Sequence, residues 1–254
     1  MIKIYLLDFT GAEAAQEHRS LLPDFVTSTK NPNLRRERIF SYMLLSFAYR
    51  EYCLREKADS SCAIRAKRYT SDKPEDLETA GDGSFLPKIE RDGYGRPYFE
   101  CRAFDFNISH DGNMAALVIS DAGRVGIDIQ RVSDKVSPAL KAKTDALFCA
   151  GELIKIPCDS SLRNAELQLV GYSETCGIFK TEAKAFAAPD NTDFFYRWTA
   201  IEALSKADGR GLALFSRIDE AKENFTLRCA LVSDKEGKSY AVSVCKRKGE
   251  DNPN

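Results

Sequence analysis

The sequence predicts an α+β protein built from two similar halves. Three observations carry that expectation. A strand, a long helix and a pair of strands succeed one another in each half; helical periodicity is confined to a few stretches; and strand-like runs lie between turn residues. With 254 residues the chain can form one large domain or two compact halves, with a substantial core either way. The halves are expected at 1–123 and 124–254.

Taken in order, "MIKIYLLDFT" reads as a first strand, because it is short and broken by Asp8 where a signal peptide would have a longer apolar core. From Asn33 to Lys57, "NLRRERIFSYMLLSFAYREYCLREK" puts Ile39, Met43 and Phe47 on one helical face, with Leu44 and Ala48 beside them. Arg35, Arg36 and Arg38 crowd its first turns, where the helix dipole disfavours cations. They read either as a solvated basic turn or as an anion site, with backbone N–H groups and arginines converging on a phosphate. Residues 70–94 are polar and turn-rich. "GYGRPYF" marks a turn, "FDFNISHDGN" a short strand ending in a polar turn that holds Ser109 and His110, and "MAALVIS" (Met114–Ser120) a continuous apolar strand. "VGIDIQ" follows "DAGR", and these last two strands are expected to pair as a hairpin around that short Gly-containing turn.

Pro138 to Lys155 reads as helical, while residues 157–177 show no clear period. "NTDFFYRWTAIEALSKADGRGL" is the clearest helix. Asn191 or Thr192 is its N-cap, Phe194, Trp198, Ile201 and Leu204 share a face, and Gly209 stops it. Strands near "NFTLRCALVS" and "KSYAVSVCK" follow, then a frayed tail.

Lysine plus arginine is 37 and aspartate plus glutamate 38, for a net charge of −1, so no global field draws in nucleic acid or anionic membrane. No run approaches the roughly 18 apolar residues of a membrane span. The eight cysteines are scattered without a C-x-x-C pair, so reduced thiols and no zinc site are expected. A soluble, cytoplasmic protein is the expectation.

Asp128 lies between Ile127 and Ile129 and shares a strand face with Gln130. Alone, that pattern is the water-facing side of an ordinary strand. Glu202 and Lys206, spaced i, i+4, would alone be an ion pair worth a few tenths of a kcal/mol. Glu202, however, adjoins the apolar face of Trp198 and Ile201, where an acid is either paired or used. Asp128 and Glu202 could together supply hard oxygen ligands to magnesium, which takes one or two carboxylates and completes its shell with water and phosphate. Ser109 and His110 could cap a phosphate. No nucleophile–His–acid triad can be assembled, and a "GxxxxGK[ST]" loop is absent.

"GYGRP", "FNISHDG", "VGIDIQ", "LFCAGE" and "FYRWTAIEALSKADGRGL" resemble, in sequence and order, the 4′-phosphopantetheinyl transferases of the longer, surfactin-synthetase-activating type, whose single chain forms a pseudo-dimer of two α+β halves. The resemblance covers residues 93–130 and 193–212 well and is looser over 33–57 and 145–155. It implies transfer of the phosphopantetheine arm of coenzyme A to a serine of an apo acyl or peptidyl carrier protein, by a cytoplasmic monomer. It also implies Mg²⁺ held by Asp128, Glu202 and Gln130, and Lys206 on the pyrophosphate with Ser109 and His110 beside its phosphates. Gly95, Arg96 and Pro97 would border the adenine; Arg38, with Arg35 or Lys30, would bind the 3′-phosphate; Glu152 would deprotonate the carrier serine. Two positions depart from the family pattern. Gln130 stands where a glutamate is usual, removing one anionic ligand, and Ile201 stands where a lysine is usual. They leave a second reading: a degenerate member that binds coenzyme A or carrier protein without turnover.

Overall fold

The computed structural model describes residues 1–55, 86–148, 165–173, 177–181, 190–210 and 218–249, with positions 153, 156, 158 and 162. In chain order the elements are β1 (Ile2–Asp8), α1 (Gln16–Arg19), α2 (Asp24–Thr27), α3 (Pro32–Arg55), β2 (Ile89–Arg91), β3 (Pro97–Phe99), β4 (Asp105–Asp111) and β5 (Met114–Ser120). They continue with β6 (Val125–Arg131), α4 (Pro138–Leu147), β7 (Glu166–Ser173), β8 (Gly177–Thr181), α5 (Thr192–Asp208), α6 (Ile218–Asn224), β9 (Phe225–Ser233) and β10 (Ser239–Arg247). The protein is a mixed α+β structure with several sheets.

Strand β5, and β1 apart from the buried Lys3, are apolar on both faces because both faces are covered. Their odd-numbered residues, Tyr5, Leu7, Leu117 and Ile119, pack on α3 through Phe40, Leu44 and Ala48. Their even-numbered residues, Ile4, Leu6, Ala116 and Val118, pack against Val125, Ile127 and Ile129 of β6 and Val242 and Val244 of β10. The first sheet has the order β4-β5-β1-β7-β8 and the second β6-β10-β9. The outer side of the second sheet is covered by α5, whose Ala200, Ile201 and Leu204 meet Phe225, Leu227 and Cys245. Two sheets face to face, each with a long helix outside, set the layering.

One connectivity occurs twice. β1–α3–β4–β5 places β5 between β1 and β4, all antiparallel. β6–α5–β9–β10 places β10 between β6 and β9, again all antiparallel. The chain passes from the first sheet to the second in the bend at 121–123, but β7 and β8 cross back, β7 lying parallel to β1.

The expected hairpin of β5 with β6 does not form. Both edges of β5 are already occupied, by β4 and β1. The tight hairpin is β4–β5, closed by the two-residue loop Gly112–Asn113, with Gly112 at φ 59 in the first loop position as a II′ turn requires. Ser109 and His110 are accordingly strand residues inside β4, not turn residues. The long helices fall where periodicity puts them. Asn191 takes the N-cap position of α5 at φ 65 without a side-chain capping bond, and Gly209 ends the helix at φ 89. Within the stretch without a clear period lies β7. The expected helix from Pro138 is α4 to Leu147; residues 149–152 lie outside the described ones. Among the described residues no helix is long and apolar enough to cross a membrane.

Strands β4 and β6 are edges of different sheets, and they meet through side chains instead of a backbone ladder. Asp105 Oδ2 accepts from Val125 N at 2.8 Å, Asn107 Oδ1 from Ile127 N at 3.0 Å, and Asp111 Oδ2 from Arg131 N at 2.6 Å. The polar residues of β4 recur every second position, as do the N–H groups of β6 that need acceptors, so one register satisfies both. Asn107→Leu would leave the buried Ile127 N–H without its acceptor and is expected to cost about 2 kcal/mol in urea denaturation.

On the other side of β6, Gly126 touches the backbone of α5. A Cβ there would lie 2.2 Å from the Ala203 carbonyl oxygen and 2.5 Å from Ala207 N. Neither is a flexible side-chain end, so the helix itself would have to move. Gly126→Ala is therefore expected to destabilise the fold by about 3 kcal/mol, read as a lower urea midpoint.

Candidate functional site

The close contact at Gly126 determines what its strand neighbours face. Asp128 and Gln130 share its side of β6, so that side meets α5 and not water, and Asp128 is only 6 % exposed. Helix α5 presents Lys206 to it. The Lys206 ammonium donates to Asp128 Oδ1 at 2.7 Å, to Ser109 Oγ at 3.0 Å and to the Ile127 carbonyl at 3.1 Å. Ser109, at the ladder position between Asn107 and Asp111, donates its own hydroxyl to the same Asp128 oxygen at 2.8 Å. Lys206 thus reaches across to β6 instead of pairing one turn back with Glu202, correcting the bland i, i+4 reading.

Glu202 is held above the ordinary carboxylate range, first by burial and then by the negative charge of Asp128, with Lys206 and Lys143 opposing. The charges of Asp128 and Glu202 therefore oppose each other in a region where Lys206 and Lys143 act against that repulsion. His110, next to Ser109 on β4, has its imidazole pushed below its usual value by burial and by the charges of Lys206 and Arg38. Its Nδ1 lies 3.2 Å from Glu37 Oε2 on α3. Burial, and then the charge of Asp111, raise the pKa of Glu37.

The arginines at the start of α3 separate into three environments. Arg36 donates to the carbonyls of Phe9 and Ala12 and to Asn113 Oδ1, and stacks its guanidinium 4.7 Å from the Phe9 ring centroid, which makes it a structural clamp. Arg38 donates to Thr29 Oγ1 at 3.0 Å and its charge acts on His110. Arg35 is exposed on a separate cavity of about 320 Å³ that Arg19, Gln16, Thr27 and Ile39 also line. Lys30 is exposed in the segment before α3.

Gly95, at φ 85, lies in the exposed turn between β2 and β3, and Pro97 opens β3. Arg96 is buried instead. Its guanidinium donates to Asp105 Oδ2 at 2.5 Å, to the carbonyls of Val125 at 2.8 Å and Phe106 at 3.2 Å, and to the Lys206 carbonyl. It ties the β2–β3 hairpin to the C-terminal end of α5. A planar ligand could meet only the backbone and stem at this position, because the charged end is already in use.

Gln130 donates its amide to Asp111 Oδ2 at 2.7 Å. Both residues border a groove of about 380 Å³ beside the Asp128 cluster, walled by Val136, Leu140, Phe195 and Trp198. Ile201 is wholly buried in the core under α5, so the position where the family pattern has lysine does not face the carboxylates. Glu152 lies outside the described residues. Asp111, Glu37, Asp105 and Asn107 belong to the site or its support and were not singled out from the sequence. The period-2 polar run of "DFNISHD" was the available signal for three of them.

Among the described residues no group of three His, Cys, Asp or Glu side chains is arranged to hold a metal by itself. The donors present are two mutually repelling carboxylates and an amide. That set fits a hard cation which keeps waters and takes phosphate oxygens, and does not fit a closed structural site. No protein-family model matches the chain, and no curated protein matches it in sequence.

A test follows from the electrostatics. A folded-state pKa raised above its unfolded value means Glu202 favours folding as the neutral acid, and this contribution is lost as pH rises through the raised value. Glu202→Gln is expected to raise Tm by about 2 °C at pH 8. The gain should shrink toward zero at pH 4, and differential scanning calorimetry across that range checks it.

Proposed function

We propose that the protein transfers the 4′-phosphopantetheine group of coenzyme A to a serine of an apo acyl or peptidyl carrier protein. The observation that carries the reading is the convergence of Asp128, Glu202, Lys206 and Ser109, with His110 adjacent on the same strand. These residues come from three separate elements, and all were picked out by the ordered motifs. The twofold strand–helix–hairpin connectivity agrees with a single-chain pseudo-dimer.

In this reading Asp128, Glu202 and the amide oxygen of Gln130 would hold Mg²⁺, which would supply positive charge against the pyrophosphate. Lys206 shifts its ammonium from Asp128 to the pyrophosphate, an exchange of one anionic partner for another. Ser109 and His110 line the phosphates, and His110 donates to them once protonated. Arg38, next to His110, is the cation available to the 3′-phosphate, while Arg35 opens on a different cavity. The carrier serine oxygen forms a bond to the pantetheine-side phosphorus. The bond from that phosphorus to the bridging oxygen breaks, and adenosine 3′,5′-bisphosphate leaves. The serine proton passes to a carboxylate, the role given to Glu152. Phosphoryl transfer asks the protein for positioning and charge compensation more than covalent chemistry, which is what a buried, charge-dense junction between two sheets offers.

The reading of a degenerate, non-catalytic member rested on Gln130 and Ile201. Because Ile201 is in the core, its replacement of lysine removes no charge from the cluster, and only Gln130 favours that reading. Incubation with coenzyme A, Mg²⁺ and a panel of apo carrier proteins tests the proposal by mass spectrometry. A gain of one phosphopantetheine group on a carrier is the expected result. Coenzyme A binding with no mass gain on any carrier would favour the degenerate reading. Asp128→Ala is expected to lower the transfer rate at least about 100-fold while the far-ultraviolet circular dichroism stays unchanged. Full activity in that variant would remove Asp128 from the mechanism.

A further inference from the structure

The bond between Gln130 and Asp111 carries a consequence for the proposed cation site. Asp111 Oδ2 is not free to move, because it is a rung of the β4–β6 ladder, accepting from Arg131 N at 2.6 Å. A carboxylate oxygen can only accept, so just one end of the Gln130 amide can approach it: the NH₂, at 2.7 Å. The amide oxygen is therefore directed away from Asp111. It is the only metal-competent atom of that side chain, and Gln130 shares its strand face with Asp128. A glutamate at 130 would bring a second carboxylate up to Asp111 Oδ2 while Asp111 remained fixed by the backbone.

Resting on the transferase reading, we propose that Asp111 is a positioning residue that orients Gln130 as a neutral oxygen ligand, and that it is the reason position 130 carries an amide where an acid is expected. The acid is not simply lost: the negative charge sits one strand away on β4, where it holds the ladder and the ligand together. The site consequently works with two anionic ligands, and restoring the third requires two substitutions made together.

The full-length chain tests this in a double-mutant cycle of Gln130→Glu and Asp111→Asn, read first by Tm without any metal. Gln130→Glu alone should lower Tm, and adding Asp111→Asn should recover part of the loss, because an asparagine removes the second negative charge while its amide oxygen can keep accepting from Arg131 N. Additive effects, or Gln130→Glu as stable as the starting protein, would overturn the proposal. If Gln130→Glu does not fold, Asp111→Asn alone still decides, through the Gln130 side-chain amide resonances in ¹⁵N spectra. A shift of those resonances supports the orienting bond, and unchanged resonances reject it. Mn²⁺ titration in the presence of coenzyme A then reads the cation site. The double variant should bind Mn²⁺ at least about fivefold tighter than the starting protein, following the added ligand charge. Gln130→Glu alone should bind no tighter. Coupling in Tm with no Mn²⁺ binding in any variant would leave Asp111 as the orienting residue and defeat the cation reading. Mn²⁺ binding that responds to Gln130→Glu without coupling to Asp111 would do the reverse.

Discussion

The junction of β4 with β6 is the constraint on which the rest depends. An edge strand carries a row of N–H groups that need acceptors, and burying that row beside a second sheet leaves no water to supply them. Here the acceptors are side chains of β4, spaced two residues apart like the groups they serve. The arrangement fixes the register between sheets as a ladder fixes register within one. It also puts the polar face of β4 inside the molecule, and with it Ser109 between two rungs.

Charge concentration follows from that geometry and from one glycine. At Gly126 the strand backbone lies against the helix backbone, which brings the α5 side chains within reach of the next residues of β6. Asp128 is then buried against Lys206, and Glu202 carries an ionisation penalty. Buried ion pairs are weak sources of stability, since desolvation offsets most of the attraction. A cluster that the fold supports at some cost is in keeping with the phosphate-binding role proposed for it. Arg96 reinforces this economy. It anchors Asp105, which serves the ladder, and the carbonyl of Lys206, which serves the cluster.

Much of this was legible beforehand where the signal was local. Strand β5 spans Met114–Ser120 and α5 runs from Thr192 to Asp208 because period and capping residues are read over a few turns of chain. The hairpin expected of β5 with β6 fails for a physical reason. "DAGR" and "DGN" both look like turns, and nothing local shows that β5 already has two partners. The two-residue Gly112–Asn113 loop, with its first glycine, was the better hairpin signal. Ser109 and His110 read as turn residues because β4 is as polar as a loop. Its alternation, Asp105, Asn107, Ser109, Asp111, carries the strand period but points its polar side at another sheet.

The sequence by itself determined the long helices, the main strands, the twice-used succession of strand, helix and strand pair, and the identity of the residues that could do phosphate chemistry. Side-chain type, period and motif order are properties of the chain. The tertiary structure decided which of those residues meet. It turned the polar face of β6 from water to a helix, took Lys206 from Glu202 to Asp128, separated Arg35 from Arg38, sank Ile201 into the core and gave Gln130 its partner. Those outcomes depend on which backbone groups lack partners and how closely two backbones can approach, and both are fixed only when distant segments pack together.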